Sequence, residues 1–346
     1  MLPVLSDCEC LLSLHRHALL IAGPLVLVTG FYFLIFSGAQ EGRASANAVR
    51  LSPPEPFKAP PEIKTREQKP RLQTACETKA AWLRTRISIP VNVLIQPPYV
   101  IVGDYEDSTL EALYRKAISP TEYALNVSYF DTPPDRPITI VALSSEERYQ
   151  QVASDLDQRK TGSYYGYFQS NDMRVVLNLS TGGGTLGHEL THALAEIDFP
   201  AMPEWFDEGL ASLHEQCEFS DEQTQLIGIP NWRGQLLLSA LDRNQLPPLS
   251  TLVNQVRIDT RREALTYAYA RYFCLYLQQK RLLSPFYRKL RTSQEFDPTG
   301  SETLKQLLNI NDLADIDADF RIWLNGFRQI KTPAKTPTKT PTNHPG

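Results

Sequence analysis

Residues 184–212 read GTLGHELTHALAEIDFPAMPEWFDEGLAS, and two amphipathic helices account for the pattern. In the first, Leu186, Leu190, Ala193, Leu194 and Ile197 recur at helical apolar spacing. His188 and His192 then lie about 40° apart on the face opposite that stripe. Two core histidines satisfied by hydrogen bonds would sit on the stripe, so that reading fits poorly. Two imidazoles one turn apart can share one metal ion. Glu189 stands to the side of the same face, in reach of a water on that ion without being a ligand. The second helix opens near Pro203, a residue suited to a first helical turn. Phe206, Leu210 and Leu213 form its stripe, and Glu208 falls about 200° from Phe206, away from the core. A catalytic zinc takes three protein ligands and keeps a position open for water. His188, His192 and Glu208 make that set, with Glu204 and Asp207 as alternative carboxylates. Gly209 and Ala211 are small enough for close helix approach.

The rest of the chain frames this pair. Of 346 residues, 42% are hydrophobic and 21% charged, enough apolar material for a real core. The formal charge of −4 lacks the basic footprint of a nucleic-acid binder, and five cysteines make neither a disulfide scaffold nor a Cys-only zinc module. Short apolar strands are expected at Tyr99–Gly103, Pro137–Leu143 and Met173–Leu179, and helices at Leu110–Ile118 and Ser145–Leu156 with Ser144 or Ser145 as N-cap. From Gly184 onward the pattern is mostly helical. A mixed sheet followed by a helical half is α+β.

Outside the globular part, residues 18–37 carry no charge, and their apolar run spans about 28 Å as a helix, close to a bilayer core. A transmembrane helix or signal anchor is expected there, after a short N-terminal segment 1–17. A cleaved signal peptide is the alternative. The expected topology puts the large domain on the extracytoplasmic side, although the flanking positive charges are nearly balanced. Residues 38–70 are Pro-rich and read as a linker. The globular domain is expected over 71–330. Residues 331–346 repeat Lys-Thr-Pro and read as a disordered tail.

HELTHAL followed by PEWFDEGLAS resembles the gluzincin metallopeptidases, in particular the peptidase MA-like domains, whose pattern is HExxH, a short connection, then WxxEGxA. The resemblance covers roughly residues 95–327, with specificity concentrated in the two motifs. It implies a zincin-like fold, one zinc per chain on His188, His192 and Glu208, and Glu189 as general base. It implies a peptide or protein substrate, paired along the strand that precedes the motif helix, MRVVLNL. It also points to Tyr267 as the oxyanion donor, with Tyr269 and His214 as rivals. The chain departs from the aminopeptidase-type members: the spacing from His192 to Glu208 is shorter, and the Gly-x-Met-Glu-Asn signature is absent. An endopeptidase is therefore expected. Ser212, four residues after Glu208, is not an acid, which leaves the hydrogen-bond partner of a zinc histidine unassigned. Two other classes compete: a non-catalytic zinc-stabilised peptide-binding module, and a membrane tether working through its linker and tail.

Several features carry less. Cys76 and Cys217 form either a disulfide or, with Cys274, buried thiols. Tyr164, Tyr165, Tyr167 and Phe168 read as a strand and its turn, with a cleft wall as the alternative. Asp315, Asp317 and Asp319 mimic a calcium loop, but Phe320 stands where that loop requires Gly, so a solvated helix start is expected.

Overall fold

The computed structural model describes residues 68–330, except 159–164, 223, 256 and 259–262. The expected N-terminal segment, membrane segment, most of the linker and the Lys-Thr-Pro tail lie outside the described residues. Among the described residues, no helix is long and apolar enough to cross a membrane.

The fold is α+β with a small mixed sheet. Five strands take the order β1 (Asn92–Gln96), β2 (Tyr99–Gly103), β3 (Ile138–Leu143), β5 (Arg174–Asn178), β4 (Gly166–Gln169). The three inner strands run parallel, and each edge strand is antiparallel to its neighbour. Every residue of β2, β3 and β5 is buried, as expected for parallel strands covered on both faces. Period-two alternation sorts them. Ile101, Ile140, Val175 and Leu177 join the large core under the helical half. Val100, Val102, Val141 and Val176 join a smaller core on the opposite face. That face is covered by α1 (Gln68–Arg86) and α4 (Glu146–Asp157). Helix α1 starts three residues before the expected start of the domain at residue 71. Pro70 is tolerated in its first turn, where no backbone N–H is needed. Leu72, Cys76, Ala80 and Leu83 form its buried stripe.

Two sequence expectations change, and one left open is decided. The expected helix Leu110–Ile118 is α2 (Asp107–Leu113), a π-turn at Tyr114–Ile118, and α3 (Ser119–Ser128). Pro120 explains the break, since it has no N–H for the carbonyl one turn back and its ring crowds that carbonyl. The strand over 173–179, expected to border the cleft, is β5 and is interior; β4 lies outside it and is the sheet edge. The strand expected around Tyr167 and Phe168 is β4, while Tyr164 lies outside the described residues. Ser145, not Ser144, caps α4, accepting from Arg148 N at 3.3 Å.

The remaining helices are α5 (Gly184–Asp198), α6 (Glu204–Glu215), α7 (Arg233–Asp242), α8 (Leu249–Val253), α9 (Glu263–Gln279), α10 (Leu283–Ser293), α11 (Ser301–Leu308) and α12 (Leu313–Ile330), with a hairpin of β6 (Cys217–Phe219) and β7 (Leu226–Gly228) after α6. Cys76, Cys217 and Cys274 are free thiols. Cys76 packs in the smaller core and Cys217 against the larger one, so the sheet separates them. Of the acidic triplet, only Asp315 lies in the first turn of α12. Asp317 accepts from Leu249 N at 3.1 Å and Arg321 Nε at 2.9 Å. Asp319 accepts from Tyr276 and Lys280. The last two therefore fasten helices together rather than opening a solvated one.

Candidate metal centre

Helices α5 and α6 meet because glycines let them. A Cβ on Gly184 would stand 2.3 Å from the carbonyl oxygen of Glu215, and one on Gly187 would stand 2.7 Å from that of His214. On its other side α6 approaches α9, where a Cβ on Gly209 would stand 2.9 Å from Ala270 O. The close approach expected at Gly209 is therefore present. Trp205, Phe206 and Leu210 face the core, which turns Glu208 toward α5.

His188 Nε2 and His192 Nε2 are 3.1 Å apart. Glu208 Oε2 lies 3.6 Å from each of them. Three atoms so spaced are equidistant from a point about 2.0 Å away, the length of a zinc–nitrogen or zinc–oxygen bond. The donor set thus fits a zinc ion. Glu189 is 6% exposed, and one of its oxygens lies within 4.8 Å of the two histidine ligand atoms. It lines the same cleft.

The two alternative carboxylates are engaged elsewhere. Glu204 accepts from Ile258 N at 2.6 Å. Asp207 accepts from His192 Nδ1 at 2.9 Å. Asp207 is therefore the partner that orients a metal-facing histidine, the place the sequence left unassigned. Burial and the neighbouring His192 push His188 down to about 3. Burial also opposes charge on His192, but Asp207 and Glu208 outweigh it and hold its pKa well above the ordinary value. Burial raises the Glu208 carboxyl, and the His192 charge more than offsets this, leaving it below the usual carboxylate range.

The cleft has a volume of about 890 Å³. Residues Gly166 to Phe168 of β4 form part of one wall, and Tyr165 (57% exposed) stands at its rim. Tyr267 is half-buried in the wall, where burial and the negative charge of Glu208 beside it raise the pKa of its hydroxyl well above the ordinary value. Neither rival shares that position. Tyr269 is buried, with its hydroxyl 3.3 Å from Pro247 O and 3.2 Å from Asp317 Oδ1. His214 is buried behind α5, its Nδ1 3.2 Å from Thr191 Oγ1. Among the cleft residues that sequence reasoning missed are Glu215, Trp232 and Arg233. They belong to no motif, and only the fold brings the start of α7 to the end of α6.

No family model matches the chain, and no curated protein does. Among solved structures, native yeast LTA4 hydrolase is similar at a TM-score of 0.38 and 13% identity, over 72% of this chain and 40% of that one. The chain thus spans well under two thirds of that protein, and the functional reading rests on the site itself.

Proposed function

We propose that this chain is a zinc-dependent peptidase with a zincin-like fold of gluzincin type. In this reading residues 18–37 anchor it in a membrane, and the catalytic domain lies on the extracytoplasmic side. The observation that carries the catalytic reading is the triangle of His188 Nε2, His192 Nε2 and Glu208 Oε2, with Glu189 beside it and all four residues lining the cleft. A purely structural zinc site closes all four positions with protein ligands, whereas this one offers three and a base.

Zinc held there would lower the pKa of a bound water toward about 7 and polarise the scissile carbonyl. Glu189 accepts the proton of the attacking water and passes it to the leaving amine nitrogen. Asp207 holds the His192 ring so that Nε2 points at the cleft. Tyr267, in the cleft wall beside Glu208, donates its hydroxyl to the developing oxyanion. The substrate peptide lies along the free edge of β4 as an added strand, an arrangement in which main-chain bonds give affinity and the cleft walls select side chains.

The test uses the full-length protein. Elemental analysis should find about one zinc per chain, retained in Glu189→Gln and lost in His188→Ala. Wild type should cut unstructured peptides and Glu189→Gln should not. Zinc retention with no cleavage of any peptide, together with unaltered cellular function of Glu189→Gln, would move the reading to a peptide-binding module.

A further inference from the structure

The cleft is lined by six carboxylate side chains, Glu189, Glu196, Asp207, Glu208, Glu215 and Glu263, and, among the described residues, by a single Lys or Arg, Arg233. That guanidinium is held in place on several sides. Its Nε donates to Glu215 Oε2 at 3.1 Å. Its centre lies 4.5 Å from the Trp232 ring and 5.9 Å from the Tyr267 ring. The turn that carries it is fixed as well. Asn231 Oδ1 accepts from Arg233 N at 3.1 Å. The Tyr272 hydroxyl donates to Asn231 O at 2.9 Å and accepts from Asn231 N at 3.1 Å. Gly234 allows this contact, since a Cβ there would stand 2.2 Å from the Tyr272 hydroxyl oxygen. With Nε occupied, the two terminal amino groups have no partner among the described residues. They form the planar fork that binds a carboxylate through two parallel hydrogen bonds.

Position sets the register. Glu215, which holds Arg233, follows Glu208 by seven residues on α6, so its backbone lies about 10 Å along the helix from that of the metal-facing residue. An extended peptide advances about 3.3 Å per residue, which places its contact with Arg233 two to three residues from the scissile bond. Direction follows from β4. Gly166, its first residue, packs on Thr185 at the start of α5, and Gly184 beside it packs on Glu215. A peptide antiparallel to β4 therefore ends on the Arg233 side of the cleft.

We propose that Arg233 is a specificity-determining residue that binds a substrate carboxylate on the leaving-group side, two to three residues beyond the scissile bond. The source is a free C-terminus or an Asp or Glu side chain. The inference rests on the zinc reading, because a divalent ion offsets the carboxylates around the reacting centre and leaves the Arg233 end of the cleft able to accept an anion.

The experiment uses full-length, zinc-loaded Glu189→Gln protein and fluorescent peptides of one sequence. The first has a free C-terminal acid and the second a C-terminal amide. Two further amides carry Asp or Lys near the end. The acid is expected to bind about 10- to 100-fold tighter than the plain amide. Arg233→Gln should bring the acid down to the amide while keeping the zinc, and Arg233→Lys should recover part of the difference. Recovery by the Asp amide identifies a side-chain source, and its failure identifies the free C-terminus. Equal binding of acid and amide, tightest binding of the Lys amide, no binding of any peptide, or a preference that survives Arg233→Gln overturns the assignment. Wild-type enzyme separates the two readings. Acid peptides bound through Arg233 but released intact sink the hydrolase and leave this inference standing. Cleavage indifferent to the carboxylate does the reverse.

Discussion

Asp207 accepts from His192 Nδ1 at 2.9 Å, which fixes the ring plane and leaves Nε2 to face His188 and Glu208. Such partners typically account for about 10- to 100-fold in metal affinity. Asp207→Ala should therefore weaken zinc binding by about that factor, measured by competition with a chromophoric chelator. Glu204→Gln should leave it within about twofold on the same scale, because the Glu204 carboxylate is spent on Ile258 N at 2.6 Å. Equal losses in the two variants would return Glu204 to the ligand set. This pair also shows where sequence reading stops. Glu204 and Glu208 are one helical turn apart, so periodicity puts both near the same face and cannot separate them. The deciding contact comes from a backbone N–H 54 residues later. The HExxH residues were legible because all their geometry is local to one helix. Arg233 was not, because its role depends on Glu215 and Tyr267, which local spacing does not connect to it.

At the scale of elements, α5 is held against its neighbours at both ends. Its N-terminal half lies on the end of α6 through Gly184 and Gly187. A methyl group at Gly187 must displace the His214 carbonyl, so Gly187→Ala should destabilise the fold by about 1–3 kcal/mol, read from urea unfolding. Gly326 is also helical but has nothing within 4 Å of a built Cβ. Gly326→Ala should instead stabilise by up to about 1 kcal/mol through helix propensity. The C-terminal end of α5 is held by Asp198, whose side chain is fully buried although a carboxylate there opposes the helix dipole. Asp131 N, Thr132 N, the Tyr287 hydroxyl and the Arg291 guanidinium all donate to it. Burial raises this carboxyl, and the bonds from Thr132, Tyr287 and Arg291 more than offset it, so its pKa lies below the ordinary 3.8. A depressed carboxyl contributes stability that is fully present above the unfolded pKa and is lost as pH falls through the folded one. Asp198→Asn should cost about 3 kcal/mol at neutral pH. The gap from wild type should close as pH drops below 3.8. A gap constant down to acid pH would show that packing, not charge, holds this end. None of this network is readable from spacing, since Asp131, Asp198 and Arg291 are far apart in the chain.

At the scale of the molecule, the ligand set joins two parts of the fold that the chain builds separately. Helix α5 rests on the sheet, sharing the large core with Val175 and Leu177 of β5. Helix α6 belongs to the helical half, locked to α9 where Gly209 meets Ala270 and Cys274. An ion held by His188 and His192 from one part and Glu208 from the other is therefore a cross-link that the unfolded chain does not offer. Zinc at about 100 times its dissociation constant should add about 2.7 kcal/mol to the folded state. For a domain of this size that corresponds to a rise of about 5–10 °C in Tm, measured by thermal unfolding with zinc against excess chelator. The same comparison assigns the ligands. Glu189→Gln should keep the full shift, because Glu189 is read as the base and not as part of the cross-link. Glu208→Gln should lose most of it, and His188→Ala all of it. If Glu189→Gln lost the shift while Glu208→Gln kept it, the ion would be held within α5 alone. The contact between the two halves would then owe nothing to metal, and the catalytic assignment of Glu189 would fall with it.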